Sequence, residues 1–495
     1  MNQRKNGEQR GSKTTSLIAK IWLVIMVAIL AAGARLPATA GICTDTETAA
    51  GNQLQGWSDS LWTQTSRADF EAGVRSGVDT ATNPGNVQLA LKSDWYQTAW
   101  SRRAPVTINN TGAALTAFQV KVTLTYDSDM KSDFSDIRFT DSNGTTLLPY
   151  WRESYTAASS AIFWVKVPSV PRGTKTIYVY YGNPSVSTAS DGTATFEFFD
   201  DFSKDLSKWT IHTGGKISIN TSYGNPAPCL EINGGSTSGY PYGLGIIGTD
   251  KSFNNFLDGI IEADIFPDKN GLPEIIFRGN YKQNTGYKGR WDTRDDWESP
   301  FFMPPYAYWE QFGDDVERFG MIGQWQKAKL VITHDTYEIY SNDKLMASAR
   351  DDEYLDSGEI GLANHYGNFS RFDNVRVRKY ASPEPSTTTG VEEGPYQTSG
   401  TIASRVLDTG IPEAIFDFLF WDKTLGAGTN ISLAARASDT MFNAGDATPP
   451  WHDMGTVSPV ISGLPAGRYL QWRATLTTTN TANTPILSEA RAYYH

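Results

Sequence analysis

The densest concentration of groups able to do chemistry lies between Trp291 and Phe312. Eight aromatics fall within 22 residues: Trp291, Trp297, Phe301, Phe302, Tyr306, Tyr308, Trp309 and Phe312. Asp295, Asp296, Glu298 and Glu310 are interleaved with them, and Pro300, Pro304 and Pro305 stiffen the path. Sugars present apolar C–H faces that stack on rings, and their hydroxyls need nearby acceptors. A stiffened loop also loses less entropy on binding, and long loops in compact domains tend to be functional. Trp297, Tyr306, Tyr308 and Trp309 are therefore the expected ligand-binding residues, lining a shallow groove. The competing reading packs these rings as core, over a sheet edge or a neighbouring domain.

Other constellations carry less. Gly243-Leu244-Gly245-Ile246-Ile247-Gly248 fits G-x-G-x-x-G, but no helix follows to receive a pyrophosphate. Asp127, Asp129, Asp133 and Asp136 cluster on a turn, yet Lys131 and Ser132 stand where a calcium loop needs an oxygen ligand and a glycine. A solvated acidic turn is the expectation. His212, His334, His365, His452 and His495 have no metal-ligand spacing, and no G-x-S-x-G elbow is present. Cys43 and Cys229 are the two cysteines; they could pair with each other, but they cannot hold a fold of this size together. Nothing nominates a nucleophile, so the expectation is a protein that is not an enzyme.

The elements that must position these residues read as short strands. Period-two alternation marks Val106-Thr107-Ile108, Phe118 to Leu124, Ile162 to Val167, Tyr337 to Tyr340 and Tyr469 to Leu476. Asp141-Ser142-Asn143-Gly144 is a hairpin-type turn. No helical period lasts beyond a few turns. The first residues are basic, and the apolar run Ile21 to Ala34 is shorter than the roughly 20 residues a spanning helix needs. Ala38-Thr39-Ala40 offers a cleavage site, so residues 1–40 are expected to be a signal peptide. The mature chain is then exported, with no membrane insertion after signal cleavage. A net charge of −11 argues against nucleic acid as a partner.

Three resemblances refine this. Trp100-Ser101-Arg102-Arg103, Asp136-Ile137-Arg138-Phe139-Thr140, Leu148-Pro149-Tyr150-Trp151, Trp164 to Pro168 and Tyr180-Tyr181-Gly182-Asn183-Pro184 resemble the secreted module called domain of unknown function 2341, over residues 95–190. Gly259 to Asp264, Tyr287 to Arg294, Gly358 to Leu362 and Phe372 to Val377 resemble a concanavalin or laminin-G type jelly roll over 195–381. Ser399-Gly400-Thr401, Val406 to Gly410 and Arg473 to Leu476 resemble a C-terminal surface-protein sandwich over 397–495. The fold class implied is all-β, with tandem β-sandwiches including a concanavalin-like jelly roll. Residues 382–396 read as a Pro/Thr-rich linker. Residues 41–94 read as a lead-in whose strand, Val87 to Leu91, docks either on the C-terminal sandwich or on the module that begins at Trp95.

The jelly-roll resemblance also implies a structural calcium ion, with Asp200 or Asp201 at the start of the domain and Asp373 at its end as ligands. The bland alternative is that these aspartates bond turn backbone. Glu262-Ala263-Asp264 resembles the E-x-D-x-x-E strand of laminarinase-like glycosidases, but Phe266 and Pro267 fall where the second glutamate belongs. The function expected is a non-catalytic cell-surface protein that binds glycan or extracellular matrix. The alternatives are a glycoside hydrolase or lyase, and a structural component of a pilus, sheath or surface layer.

Overall fold

The computed structural model describes residues 60–213, 215–234, 244–249, 251–269, 271–283, 285–291, 300–303, 322–365 and 369–495. The chain is all-β, in tandem β-sandwiches, and the helices among the described residues are the short Arg67–Glu71 and Gly192–Thr195. It divides into two units. One joins residues 60–95 to Glu393–His495, and the other is Tyr96–Glu392.

In the first unit, one sheet runs Ser60–Gln64, Ile486–Tyr494, Phe416–Thr424, Val460–Ile461. The facing sheet runs Val74–Ser76, Ser399–Ala403, Tyr469–Thr478, Thr429–Ser438, His452–Gly455. Lead-in and C-terminal residues share one core: Trp62, Phe70, Val87 and Leu89 pack with Leu419, Trp421, Leu433, Trp472 and Leu487. Val87 exchanges two backbone hydrogen bonds with Leu487, at 2.8 and 2.9 Å. The regular strand expected over Val87 to Leu91 is reduced to isolated bridges, Val87 to Leu487 and Leu91 to Tyr396, around the two-residue strand Gln88–Leu89. The full added strand is Ser60–Gln64, antiparallel to Ile486–Tyr494. Its alternation is short, and its polar Ser60, Thr63 and Gln64 conceal it. The helix that follows is fixed by a capping box, in which Ser66 and Asp69 satisfy each other's backbone N–H groups. Lys92 meets Glu393 at 2.8 Å where the two segments of this unit come together.

In the second unit, a sandwich built mainly from residues 102–181 precedes the jelly roll. Its three-stranded sheet is Leu115–Thr125, Ser160–Val170, Tyr150–Thr156. Its five-stranded sheet runs Ser386–Thr389, Arg102–Asn110, Gly173–Tyr181, Arg138–Thr140, Leu147–Leu148. The stretch read as a linker, 382–396, thus contains an edge strand: Thr387 pairs with Ile108 and Thr389 with Val106. Proline and threonine suit an edge, where half of the backbone groups face water.

The jelly roll packs two sheets. The first has the order Lys216–Asn220, Cys229–Asn233, Phe369–Arg378, Gly259–Pro267, Gln326–Thr333, Thr336–Ser341, Lys344–Arg350, and Phe198–Asp200 also pairs with Phe369–Arg378. The second has the order Thr210–Thr213, Leu244–Gly248, Glu359–His365, Pro273–Asn280, Thr285–Trp291, Pro300–Met303. Ile261, Ala263, Ile265, Phe277, Tyr287, Leu330, Ile339, Leu362 and Phe372 fill the space between them. The period-two pattern therefore places Glu262 and Asp264 on the outer side of the first sheet, and Glu274, Lys288 and Arg290 on the outer side of the second.

Candidate functional site

Trp297, Tyr306, Tyr308 and Trp309 lie outside the described residues. The aspartates do not. Asp200 is 5% exposed, and its carboxylate accepts from the Trp209 indole at 2.7 Å and from the Phe202 N–H at 3.0 Å. This bonding ties down the start of the domain and turns Asp200 toward Trp209. Asp201 accepts from the Ser203 N–H and hydroxyl. Asp373 is 1% exposed and stands in register with Asp264 on the neighbouring strand.

A bulge builds this corner. The pairing of Gly259–Pro267 with Phe369–Arg378 shifts between Glu262 and Asp264, and Asn374 adopts φ +49°. A non-glycine residue in that region is sparsely populated and persists only where its surroundings hold it. Here the Asn374 amide donates to the Asn225 carbonyl at 2.7 Å and to Asp264 Oδ2 at 2.9 Å. The Asn225 N–H donates to Asp373 Oδ2 at 2.5 Å, and its side-chain amide reaches Asp264 at 3.2 Å. Burial pushes the Asp373 carboxyl up to about 8, against the two backbone N–H bonds it accepts, with Asp264 and Asp201 adding to the rise. Asp264 Oδ1 is buried and, among the described residues, accepts no hydrogen bond; Lys327 Nζ lies 3.6 Å away. Asp264 Oδ1 is the unsatisfied oxygen of this corner, while Asp264 Oδ2 and both Asp373 oxygens already accept N–H groups. Asp264 was read only as part of the E-x-D strand, and Asn225 and Asn374 were not singled out from the sequence. The signal that pointed at Asp373 could not reveal the partners that a bulge and a distant loop bring to it.

The outer side of the same sheet is covered by the preceding sandwich. Trp151, Trp164, Phe196 and Phe199 form a buried cluster at this seam. Glu153 reaches across to accept from Arg376 at 3.0 Å and from Lys327 at 2.6 Å, while Trp164 donates to its other oxygen at 2.9 Å. Arg376 also meets Glu262 at 2.8 Å, and Arg378 meets Glu262 at 3.4 Å. Burial alone would raise Glu262, but Arg376 and Arg378 hold its carboxyl down to about 2. The E-x-D strand therefore serves an ion-paired seam.

On the second sheet, Glu274 is fully buried and paired with Lys288 at 3.3 Å and with Arg290. Burial lowers Lys288 to about 8, with Glu274 opposing. Glu359 lies on the same side, 3.2 Å from His212. Glu274 stands opposite Ala363, so the strand positions of Glu274 and Glu359 are about 13 Å apart.

The acidic turn divides in two. Asp136 is fully buried and organises the fold: it accepts from the N–H groups of Lys131, Gly182 and Asn183, while its carbonyl takes the Trp100 indole. Gly182 has φ +82°, and a Cβ there would meet the Ser101 hydroxyl oxygen at 2.2 Å. The segments around Trp100, Asp136 and Gly182 thus converge on one structural knot. Asp127 and Asp129 gather instead with Glu392, their ligand atoms within 4.8 Å. Arg102 sits between Asp129 and Glu392, 2.9 Å from each. Cys229 is a buried free thiol, pushed up to about 12 by burial.

Fold and site together define a tandem β-sandwich protein with a jelly roll at its centre. Residues 133–212 match the family described as Domain of unknown function (DUF2341). No curated protein matches the chain. Among solved structures, the carbohydrate-binding module CBM66 from Bacillus subtilis is 19% identical with a TM-score of 0.28, over 35% of this chain and 97% of that one. A protein of unknown function with a galectin-like fold, also from Bacillus subtilis, is 14% identical with a TM-score of 0.29, over 37% and 96%. The beta-glucanase of Bacillus licheniformis is 12% identical with a TM-score of 0.29, over 37% and 98%.

Proposed function

We propose that this chain is an exported, non-catalytic surface protein that binds a glycan or matrix polymer through its jelly roll. The flanking modules would serve for spacing or assembly. Export rests on the leader in residues 1–40, and ligand capture rests on the aromatic strip from Trp297 to Trp309. The observation that carries the non-catalytic reading is the state of the jelly-roll glutamates. Glu262 is bound by Arg376 and Arg378, and Glu274 by Lys288 and Arg290. Carboxyls neutralised in this way are poor nucleophiles and poor acids.

A structural calcium ion at Asp373 and Asp264 belongs to the same proposal. Their burial favours an ion over a substrate, because a reacting bond could not reach carboxyls that are 1% and 3% exposed. The test is a glycan array and a polysaccharide zymogram with the mature chain. Binding that is lost in Trp297→Ala and Trp309→Ala, without cleared zones, supports the reading. Cleared zones would establish the hydrolase or lyase alternative instead. Fibres formed by purified protein without ligand would favour the pilus, sheath or surface-layer reading.

A further inference from the structure

We propose that the seam between the first sandwich and the jelly roll holds a second, jointly built binding site for a short neutral saccharide. An open cleft of about 640 Å³ lies there, with Tyr155 and Arg152 on one wall and Asn225 to Pro228 on the other. That volume falls within the range of small-molecule sites. Trp151, Asp201 and Asn374 also line it.

Three features distinguish it from a leftover gap between packed domains. The first is the floor. Asn374 is 7% exposed and held in a left-handed conformation that non-glycine residues rarely adopt. Its amide nitrogen donates to the Asn225 carbonyl and to Asp264, so the bulge gives the cleft a rigid floor. The second is the aromatic wall. Tyr155 is 46% exposed, and the Arg152 guanidinium lies 4.3 Å from its ring centroid. Arg152 is itself held by the Asp133 carbonyl. The ring is thus backed on one side and open on the other, and a backed ring loses little freedom when a flat ligand stacks on it. The third is charge. Arg152 and Asp201 bring one formal charge of each sign to the lining, and the Glu153 carboxylate is already paired with Arg376 and Lys327. A nearly neutral cleft with one open ring, proline C–H surface and amide and hydroxyl groups suits a hydroxylated, uncharged ligand. It offers nothing to a polyanion.

None of the lining residues comes from the 297–309 strip, so this site is tested separately from ligand capture by that strip. The test is calorimetric titration of the mature chain with neutral gluco-, xylo-, manno- and galacto-configured di- to tetrasaccharides. Tyr155→Ala removes the ring, Ala227→Trp fills the cleft, and Trp309→Ala probes the other site. Tyr155 and Ala227 are exposed, so both substitutions leave the fold intact, as circular dichroism would verify. The expected result is a saccharide whose affinity falls about tenfold or more in both cleft variants and is retained in Trp309→Ala. Absence of binding by the whole panel overturns the proposal, as does binding unaffected by the two cleft variants. Loss in all three variants would mean a single shared site and overturns it too.

Discussion

The indole of Trp472 donates a hydrogen bond to the side-chain oxygen of Gln64 at 2.6 Å, across 408 residues of sequence, with both residues buried. Gln64 is on the strand that the lead-in adds to the C-terminal sandwich. Replacing Gln64 with Ala leaves a buried N–H without its acceptor, which costs about 1–3 kcal/mol. Urea denaturation followed by tryptophan fluorescence should show the C-terminal sandwich unfolding at a lower midpoint. An unchanged midpoint would mean that the lead-in contributes nothing to this core.

Glu153 neutralises Arg376 from the neighbouring sandwich. Glu153→Ala should destabilise the Tyr96–Glu392 unit by about 3–5 kcal/mol, because it leaves a buried guanidinium short of a partner. For the same reason, a fragment spanning only 195–381 should be insoluble or unfolded, whereas Tyr96–Glu392 should express as a folded unit. Solubility and hydrogen exchange of the two fragments check this.

Glu262 gives that unit a pH signature. Its folded value of about 2 lies below the ordinary 4.5, so the folded state holds its proton less tightly than the unfolded chain does. The stabilisation is complete above about pH 4.5 and is lost as pH falls toward 2; each tenfold difference in proton affinity between the two states is worth about 1.4 kcal/mol. Glu262→Gln should flatten the acid limb of the stability curve. A variant with the same acid limb as the parent would show that the arginines do not hold this carboxylate down.

For the Asp264 and Asp373 corner, added calcium should raise the melting temperature of the jelly roll, and chelator should reverse the gain. In Asp373→Asn the calcium response should vanish. Melting in chelator should also rise above that of the parent, because one of two crowded carboxylates is gone. A calcium response retained in Asp373→Asn would place any ion elsewhere.

How far the sequence could be read depends on the range of the interactions. Alternation over Val106 to Ile108, Phe118 to Leu124 and Tyr337 to Tyr340 is a local property, and these segments are strands. Ser60–Gln64 and Ser386–Thr389 escaped notice because edge strands need little apolar patterning. Their stability comes from backbone groups on Ile486–Tyr494 and Arg102–Asn110. The Glu153 seam was equally hidden, because no spacing rule links it to Arg376, 223 residues on. One local clue was present: Arg376 and Arg378 alternate with Val375 and Val377, an unusual charge for a strand whose other face is core. Asp200 was named by position alone, and its bond from the Trp209 indole becomes visible only in the fold.

The pairing of Ser60–Gln64 with Ile486–Tyr494 has a mechanical side. Ser60 stands opposite Tyr494, and the strands run antiparallel. A pull applied at Ser60 and Tyr494 would load the hydrogen bonds of this pair one after another, as a zipper, instead of all together in shear. Tension would enter and leave through the sandwich that these strands belong to.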